Sequence, residues 1–473
     1  MTALHELGAG EAAAAIRQGD ITAAALAEAL LARSLALEGL NAFVTLDPDA
    51  VRAAAAAADR ARRSDAALGP LHGVPIALKD NIGTRDLPTT AGTPALRRHR
   101  PARNAPVADA LFDAGAILFG KAGMHELAFG ITCNNAAFGA VRNPYDPSRV
   151  PGGSSGGSGA AVGARLVPAA LGTDTGASIR LPANWCGAAG LRPSVGRWPG
   201  AGIVPISATR DTAGPIARSV ADLALIDAVV TGETALPATP DPRRLRLGVP
   251  RHPFWDDLDP ECARVANEAM ARLEAAGVTL VEVELAAIAA AEPGFGFAIA
   301  LHEFQRDMTA YLATHADGIA FADVIAEVAS PDVKGLLAGY AGGAAAVPAA
   351  RYRAAMEVER PRLIEDYRRA FAATGIDALV YPTSPLLPPP IGDDDLTPLN
   401  GRPVPTFMTA ARNLGPVTLA GLPSLSLPAG LSTGGLPVGL TFDAPAGRDR
   451  ALLALGLVVE ALLPPLPAPQ QEV

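Results

Sequence analysis

Pro151-Gly152-Gly153-Ser154-Ser155-Gly156-Gly157-Ser158-Gly159 is followed shortly by Gly172-Thr173-Asp174-Thr175-Gly176-Ala177-Ser178-Ile179-Arg180. Glycine, serine and threonine dominate both stretches, so both carry hydroxyls and a backbone that side chains shield little. Between them, residues 160–171 are apolar, which predicts a short helix over 160–165 and a strand over 166–171. Two hydroxyl-bearing loops are thus tethered by one packed unit. Such an arrangement can gather several serines and free N–H groups around one point.

The same rhythm extends outward. Upstream, the spacing of apolar residues predicts helices over 21–37, with Thr22 as cap, and over 49–62. A buried strand is expected over 73–78, where Pro75 suits a strand start, and it ends in Lys79-Asp80-Asn81. A helix over 104–113, a strand over 116–120 and a helical turn over 124–129 follow. Downstream come a helix at 220–230, a strand at 245–250, a helix at 261–276 and a strand at 279–283. Alternating strands and helices of this length imply an α/β fold with a central sheet. Residues 287–343 break the rhythm, being irregular and partly helical. A charged helix over 351–373, strands at 378–381, 425–428 and 438–442, and a helix over 450–463 complete the pattern, and 464–473 reads as a loose tail.

Composition excludes several function classes. The chain has 473 residues, a net charge of -9 and no long block of Lys or Arg, which argues against nucleic-acid binding. No run is apolar and long enough for a transmembrane helix, and residues 1–10 lack the pattern of a signal peptide, so a cytoplasmic location is expected. The three cysteines, Cys133, Cys186 and Cys262, form neither a disulfide framework nor a zinc motif, and the seven histidines fit no metal-binding pattern. No metal and no cofactor are expected.

Gly152-Gly153-Ser154-Ser155-Gly156 satisfies the GxSxG pattern of α/β-hydrolases. Those enzymes place their histidine late in the chain, whereas here no histidine follows His315. Residues 115–121 approach a phosphate-binding loop, but Ala122 replaces the hydroxyl that would hold magnesium, leaving Lys121 a structural reading. Without histidine, a serine is activated by a neutral lysine, which requires burial to lower a value ordinarily near 10.4. Lys79, at the end of an apolar strand, is placed for that role. His125 and Cys133 read as structural.

Lys79, Ser154 and Ser178 lie 75 and 24 residues apart. With the glycine- and serine-rich stretches around them, the chain resembles the amidase signature family from about residue 71 to 232. The likeness resumes over 413–440, in Ala420-Gly421-Leu422-Pro423-Ser424-Leu425-Ser426-Leu427-Pro428-Ala429-Gly430. The resemblance implies a twisted, mixed central sheet with helices on both faces. The N-terminal helical segment 1–65 would pack on a single catalytic domain, 66–463, whose substrate side carries 287–343. It also implies a Ser–cis-Ser–Lys triad. Ser178 is then the nucleophile, Ser154, preceded by a cis peptide from Gly153, the bridging serine, and Lys79 the base. The N–H groups of Thr175, Gly176, Ala177 and Ser178 would form the oxyanion hole. Asp174 and Arg180 would hold the loop, and Ser155 is the neighbour that competes for the role of Ser154. Many members carry two glycines before the nucleophile, where this chain has Gly176-Ala177.

Within the family the likeness is to mandelamide and indoleacetamide hydrolases, carried by residues 124–132 and by Arg192-Pro193-Ser194-Val195-Gly196-Arg197-Trp198-Pro199-Gly200. By that analogy Gly130, Ile131 and Thr132 would line the acyl pocket, and Phe304, Tyr311 and Phe321 are candidates to close it. The expected activity is hydrolysis of small, aryl-containing amides by a monomer or homodimer. Carbamates, esters and anilides present a carbonyl to the same nucleophile and are alternatives. The amidase subunit of a tRNA-dependent amidotransferase is another, although that subunit usually has Gln where this chain has Leu181.

Overall fold

The structure is a computed structural model and describes residues 3–64, 67–233, 238–343 and 347–470. Residues 1–2 and 65 of the expected N-terminal segment, 66, 234–237 and 344–346 of the expected catalytic domain, and 471–473 of the expected tail lie outside them.

Eleven strands form one sheet. In chain order they are β1 (Phe43–Leu46), β2 (Pro75–Lys79), β3 (Ile117–Ala122), β4 (Ala169–Asp174), β5 (Ala189–Arg192), β6 (Thr212–Ala217), β7 (Arg246–Val249), β8 (Thr279–Glu282), β9 (Ala378–Pro382), β10 (Ser424–Leu431) and β11 (Pro437–Asp443). Their spatial order is β1-β3-β2-β4-β6-β5-β10-β11-β9-β7-β8. The sheet is mixed: β2 runs parallel to both β3 and β4, and β4 is antiparallel to β6.

Both faces of this sheet are covered. In β9, Ala378 and Val380 belong to one core, whereas Leu379 and Tyr381 belong to a second. That is the two-residue period of a strand buried on both sides. Helices Ala23–Ala36, Pro106–Asp113, Val220–Thr231, Pro260–Ala275 and Asp449–Leu462 supply the first core, and helix Arg360–Thr374 supplies part of the second. The α/β reading with a mixed central sheet therefore holds. Among the described residues no helix is long and apolar enough to cross a membrane.

Three local expectations need correction. The segment before residue 65 is not purely helical, because Phe43–Leu46 pairs antiparallel with β3. A short aromatic and β-branched run there outweighed its helical surroundings. Helix Gly156–Gly163 starts inside the glycine-rich run, earlier than residue 160. Glycine disfavours helix by about 1 kcal/mol per residue, but here close packing requires it. A Cβ at Gly157 would stand 2.3 Å from the N of Gly123, and one at Gly163 would stand 2.3 Å from the O of Cys186. In consequence β4 also begins later than expected, and Gly172-Thr173-Asp174 is the end of a strand rather than a loop.

That last shift positions the site. In the parallel pair β2–β4, Leu78 is in register with Leu171. The carboxyl ends of the two strands, Lys79 and Thr173-Asp174, therefore emerge side by side, the usual place for a ligand site in such sheets.

Candidate active site

Lys79 is fully buried, and its Nζ lies 2.7 Å from Ser154 Oγ, 2.7 Å from Thr173 Oγ1 and 3.4 Å from the Thr173 carbonyl. Among the described residues no carboxylate forms an ion pair with it. Burial pulls its pKa down from 10.5 to about 7, against the more distant carboxylates of Asp174 and Asp211, which raise it. A substantial fraction is thus neutral near pH 7 and able to accept a proton.

The peptide from Gly153 to Ser154 is cis. The Ser154 carbonyl accepts from the N–H of His125 (3.1 Å) and from Cys133 Sγ (3.4 Å). The N–H of Ser155 donates to the Ser178 carbonyl at 3.3 Å, which ties the two serine-bearing segments together. Ser155 Oγ accepts from the N–H of Thr173 and donates to its carbonyl, both at 3.2 Å, so this hydroxyl is engaged in holding β4.

Ser178 follows a turn whose amides are unused. Among the described residues, none of the N–H groups of Thr175, Gly176, Ala177 and Ser178 donates a hydrogen bond, and all four residues line a cavity of about 300 Å³. Ala177 does not have a positive φ. Alanine at that position therefore fits the turn without left-handed strain.

The turn is held from beneath. Asp174 is fully buried and receives Arg180 Nε (3.0 Å) and Nη2 (3.1 Å), Arg192 Nη1 (3.3 Å) and the N–H of Ile179 (3.1 Å). Burial pushes its carboxyl up, but the two guanidiniums outweigh that and hold it at about 2. Arg180 also donates to the carbonyls of Gly176 (3.1 Å) and Leu414 (3.0 Å). Arg192 Nη1 reaches the Asp174 carbonyl as well. Thr175 Oγ1 donates to Asp211 at 2.6 Å.

The amidase family profile matches residues 25–453. Indoleacetamide hydrolase of Agrobacterium vitis is 44% identical, with 94% of each chain covered. Mandelamide hydrolase of Pseudomonas putida is 41% identical over 98% of this chain and 93% of its own. The crystal structure of peptide amidase from Stenotrophomonas maltophilia superposes with a TM-score of 0.84 at 33% identity, covering 98% of both chains. This chain belongs to the amidase family. It is an amidase signature hydrolase.

In this amidase the cavity wall is mostly apolar. Gly130 and Ile131 stand on it, with Phe129, Phe297, Phe407 and Met408. Thr132 does not: its hydroxyl donates to Asp394 at 2.6 Å and so fixes a carboxylate at the rim instead. Phe304, Tyr311 and Phe321 do not close the cavity either. They belong to a separate core, where Phe304 meets Phe129 edge-on at 4.8 Å and thus supports the wall from behind. The segment expected to be irregular supplies the helix Phe297–His315 and the wall residues Glu292, Phe297, Ala300, Asp332 and Leu336.

His125 accepts from the N–H of Cys133 (3.1 Å) through Nδ1, and its Nε2 lies 2.9 Å from Asp332. Cys133 is not at the cavity mouth but buried beneath the Ser154 peptide, and burial pushes its thiol up to about 12. Lys121 is buried with Asp80 (3.5 Å) and donates to the Ile82 carbonyl (2.8 Å) and Thr89 Oγ1 (2.7 Å). Three residues escaped the sequence reading. Thr173 touches the lysine directly, and Asn81 donates to Thr173 Oγ1 at 3.1 Å. Arg210 lines the cavity, paired with Glu292 at 2.7 Å. Thr173 and Asn81 adjoin Asp174 and Lys79 in sequence, and that proximity was the available signal.

Proposed function

We propose that this amidase hydrolyses small aryl-containing amides to a carboxylic acid and an amine or ammonia, with Ser178 as nucleophile, Ser154 as proton relay and Lys79 as base. The observation that carries this reading is the buried, 2.7 Å contact between Lys79 Nζ and Ser154 Oγ, with the lysine drawn down to about 7. Neutral Lys79 accepts the proton of Ser154 as Ser154 accepts that of Ser178. Ser178 Oγ attacks the amide carbonyl, and the oxyanion falls among the unused N–H groups of residues 175–178. The proton returns through Ser154 to the nitrogen as the C–N bond breaks. Water then cleaves the ester at Ser178 by the same route.

The substrate class rests on two supports. Relatives more than 40% identical over nearly the whole chain act on indoleacetamide and mandelamide. The cavity beside Ser178 offers Phe129, Phe297 and Phe407 to an aromatic ring. Every group in this reading comes from one chain, which is compatible with a monomer or a homodimer. The free, buried thiols of Cys133, Cys186 and Cys262 accord with a reducing cytoplasm. A product-release assay with mandelamide, indole-3-acetamide, an anilide and an aryl carbamate tests the reading. Turnover of the aryl amides, lost in Ser178→Ala, is expected. Undiminished hydrolysis by that variant would overturn it, and turnover of the carbamate alone would replace amide with carbamate as the substrate.

A further inference from the structure

The cavity beside Ser178 has a charge pattern that the proton relay does not use. Four carboxylates line it, those of Glu292, Asp332, Asp394 and Asp395, against one cation, Arg210. Arg210 is buried and pairs with Glu292 at 2.7 Å, so those two charges offset each other. The other three have no such partner. Among the described residues no lysine or arginine pairs with Asp332, Asp394 or Asp395.

Their surroundings hold the first two in place. Asp394 accepts from Thr132 Oγ1 at 2.6 Å and from Asn134 Nδ2 at 2.7 Å. Asp332 Oδ2 lies 2.9 Å from His125 Nε2. His125 Nδ1 accepts the N–H of Cys133, which requires that nitrogen to be unprotonated, so the ring adds no positive charge. Burial pushes the Asp332 carboxyl up, but His125 and the N–H groups of Val333 and Asp332 outweigh it and hold it below 3.8. Asp395 is exposed, and its side chain makes no hydrogen bond among the described residues.

Exposure orders these groups along the cavity. Ser178 is 7% exposed, and its hydroxyl, without a hydrogen bond among the described residues, opens on the cavity from its buried end. Asp332 and Asp394 are half-buried and Asp395 is exposed, so the three stand toward the mouth. An acyl group bound at Ser178 and long enough to pass Phe129, Phe297 and Phe407 ends among negative charges.

We propose that the mouth of this cavity selects the acyl half of the substrate by charge. Aryl amides that carry a protonated amine at the end remote from the carbonyl are taken in preference to neutral ones, and those with a carboxylate there are disfavoured. The proposal rests on the reading of Ser178 as nucleophile. An ammonium at the mouth donates to carboxylates that hold no other cation, and aromatic rings of the kind that line the wall also attract it. A carboxylate in the same place meets like charge.

The full-length enzyme is assayed at about pH 8, above the value of about 7 for Lys79, on 4-(aminomethyl)phenylacetamide, 4-ethylphenylacetamide and 4-carboxyphenylacetamide. The first two match in size and differ in charge. At about 20 mM salt, kcat/KM should be about threefold or more higher for the cation than for the neutral amide, and about threefold or more lower for the anion. Both ratios should shrink toward one at about 0.5 M salt. Asp395→Asn alters an exposed side chain and leaves no partner unsatisfied, so the fold is kept. Asp332→Asn removes the charge beside His125. The preference for the cation should fall in at least one of these variants. A smaller preference in either pair, ratios that salt does not reduce, or a cation preference unchanged in both variants would overturn the proposal. In each of those cases the neutral amide is still cleaved and the reading of Ser178 stands. An enzyme that cleaves none of the three removes that reading as well, so the two failures are distinguishable.

Discussion

Lys79 Nζ stands 2.7 Å from Ser154 Oγ at the end of a strand from which no part of the lysine reaches solvent. The hydroxyls of Ser154 and Thr173 and one carbonyl receive it in place of a carboxylate. A lysine in such surroundings loses the solvation that favours its charge, and its pKa falls to about 7. The protonated form cannot accept the serine proton, so kcat/KM should be low near pH 5, rise tenfold per unit, and level off above about 7. A pH–rate profile with an aryl amide checks this. The profile of Lys79→Ala should be about 10³-fold lower or more and should lack that rise.

Ser178→Ala removes the oxygen proposed to attack and leaves the rest of the turn in place. The side chain is nearly buried and makes no hydrogen bond among the described residues, so its loss leaves no partner unsatisfied. Turnover should fall by about 10⁴-fold or more. The thermal midpoint should move by no more than a few degrees, which calorimetry of the two proteins measures.

The residues assigned to chemistry were legible because they sit in two contiguous stretches of unusual composition and at the end of one apolar strand. What surrounds them was less so, for physical reasons. Propensity argues against a helix in Gly156–Gly163, and only tertiary contact, with Gly123 and Cys186 pressed against glycines, makes it favourable there. Arg180 opens the short helix after the turn and Arg192 ends β5, which β6 separates from β4 in the sheet, so their convergence on Asp174 depends on the spatial order of the strands rather than on anything local. The cavity aromatics Phe129, Phe297 and Phe407 come from three distant segments. Phe304 and Phe321 carry the same composition signal yet fill a core, because nothing local distinguishes a ring that faces a cavity from one packed behind it.

Asp174→Asn tests the support beneath the turn. The substitution leaves Arg180 and Arg192 buried opposite a neutral amide, a loss on the order of 3–5 kcal/mol, measurable by urea unfolding. The unaltered protein should show the matching pH dependence. Asp174 is held at about 2 in the folded state, below its ordinary value of 3.8. Its contribution, on the order of 2 kcal/mol, is therefore complete above about pH 4 and is lost as pH falls toward 2. Asp174→Asn should lack that component of acid sensitivity.

Ala177 is where this chain departs from the glycine pair common before the nucleophile, and the backbone there decides what the departure means. Its φ is not positive, so glycine has no conformational advantage at this position. The methyl group is buried in the core beside Ile131 and Leu181 and forms part of the cavity wall. Ala177→Gly should therefore bring no gain in turnover: the N–H proposed to face the oxyanion already donates to nothing among the described residues, and kcat should stay within about threefold. The variant should instead lose about 1 kcal/mol of stability, from added freedom of the unfolded chain and the lost methyl contact. It should also raise KM for aryl amides, because the wall beside the acyl carbon recedes. Steady-state kinetics and urea titration of the same preparation measure both. A rise in kcat of tenfold or more would show that the alanine had been restraining the turn, contrary to its ordinary backbone conformation.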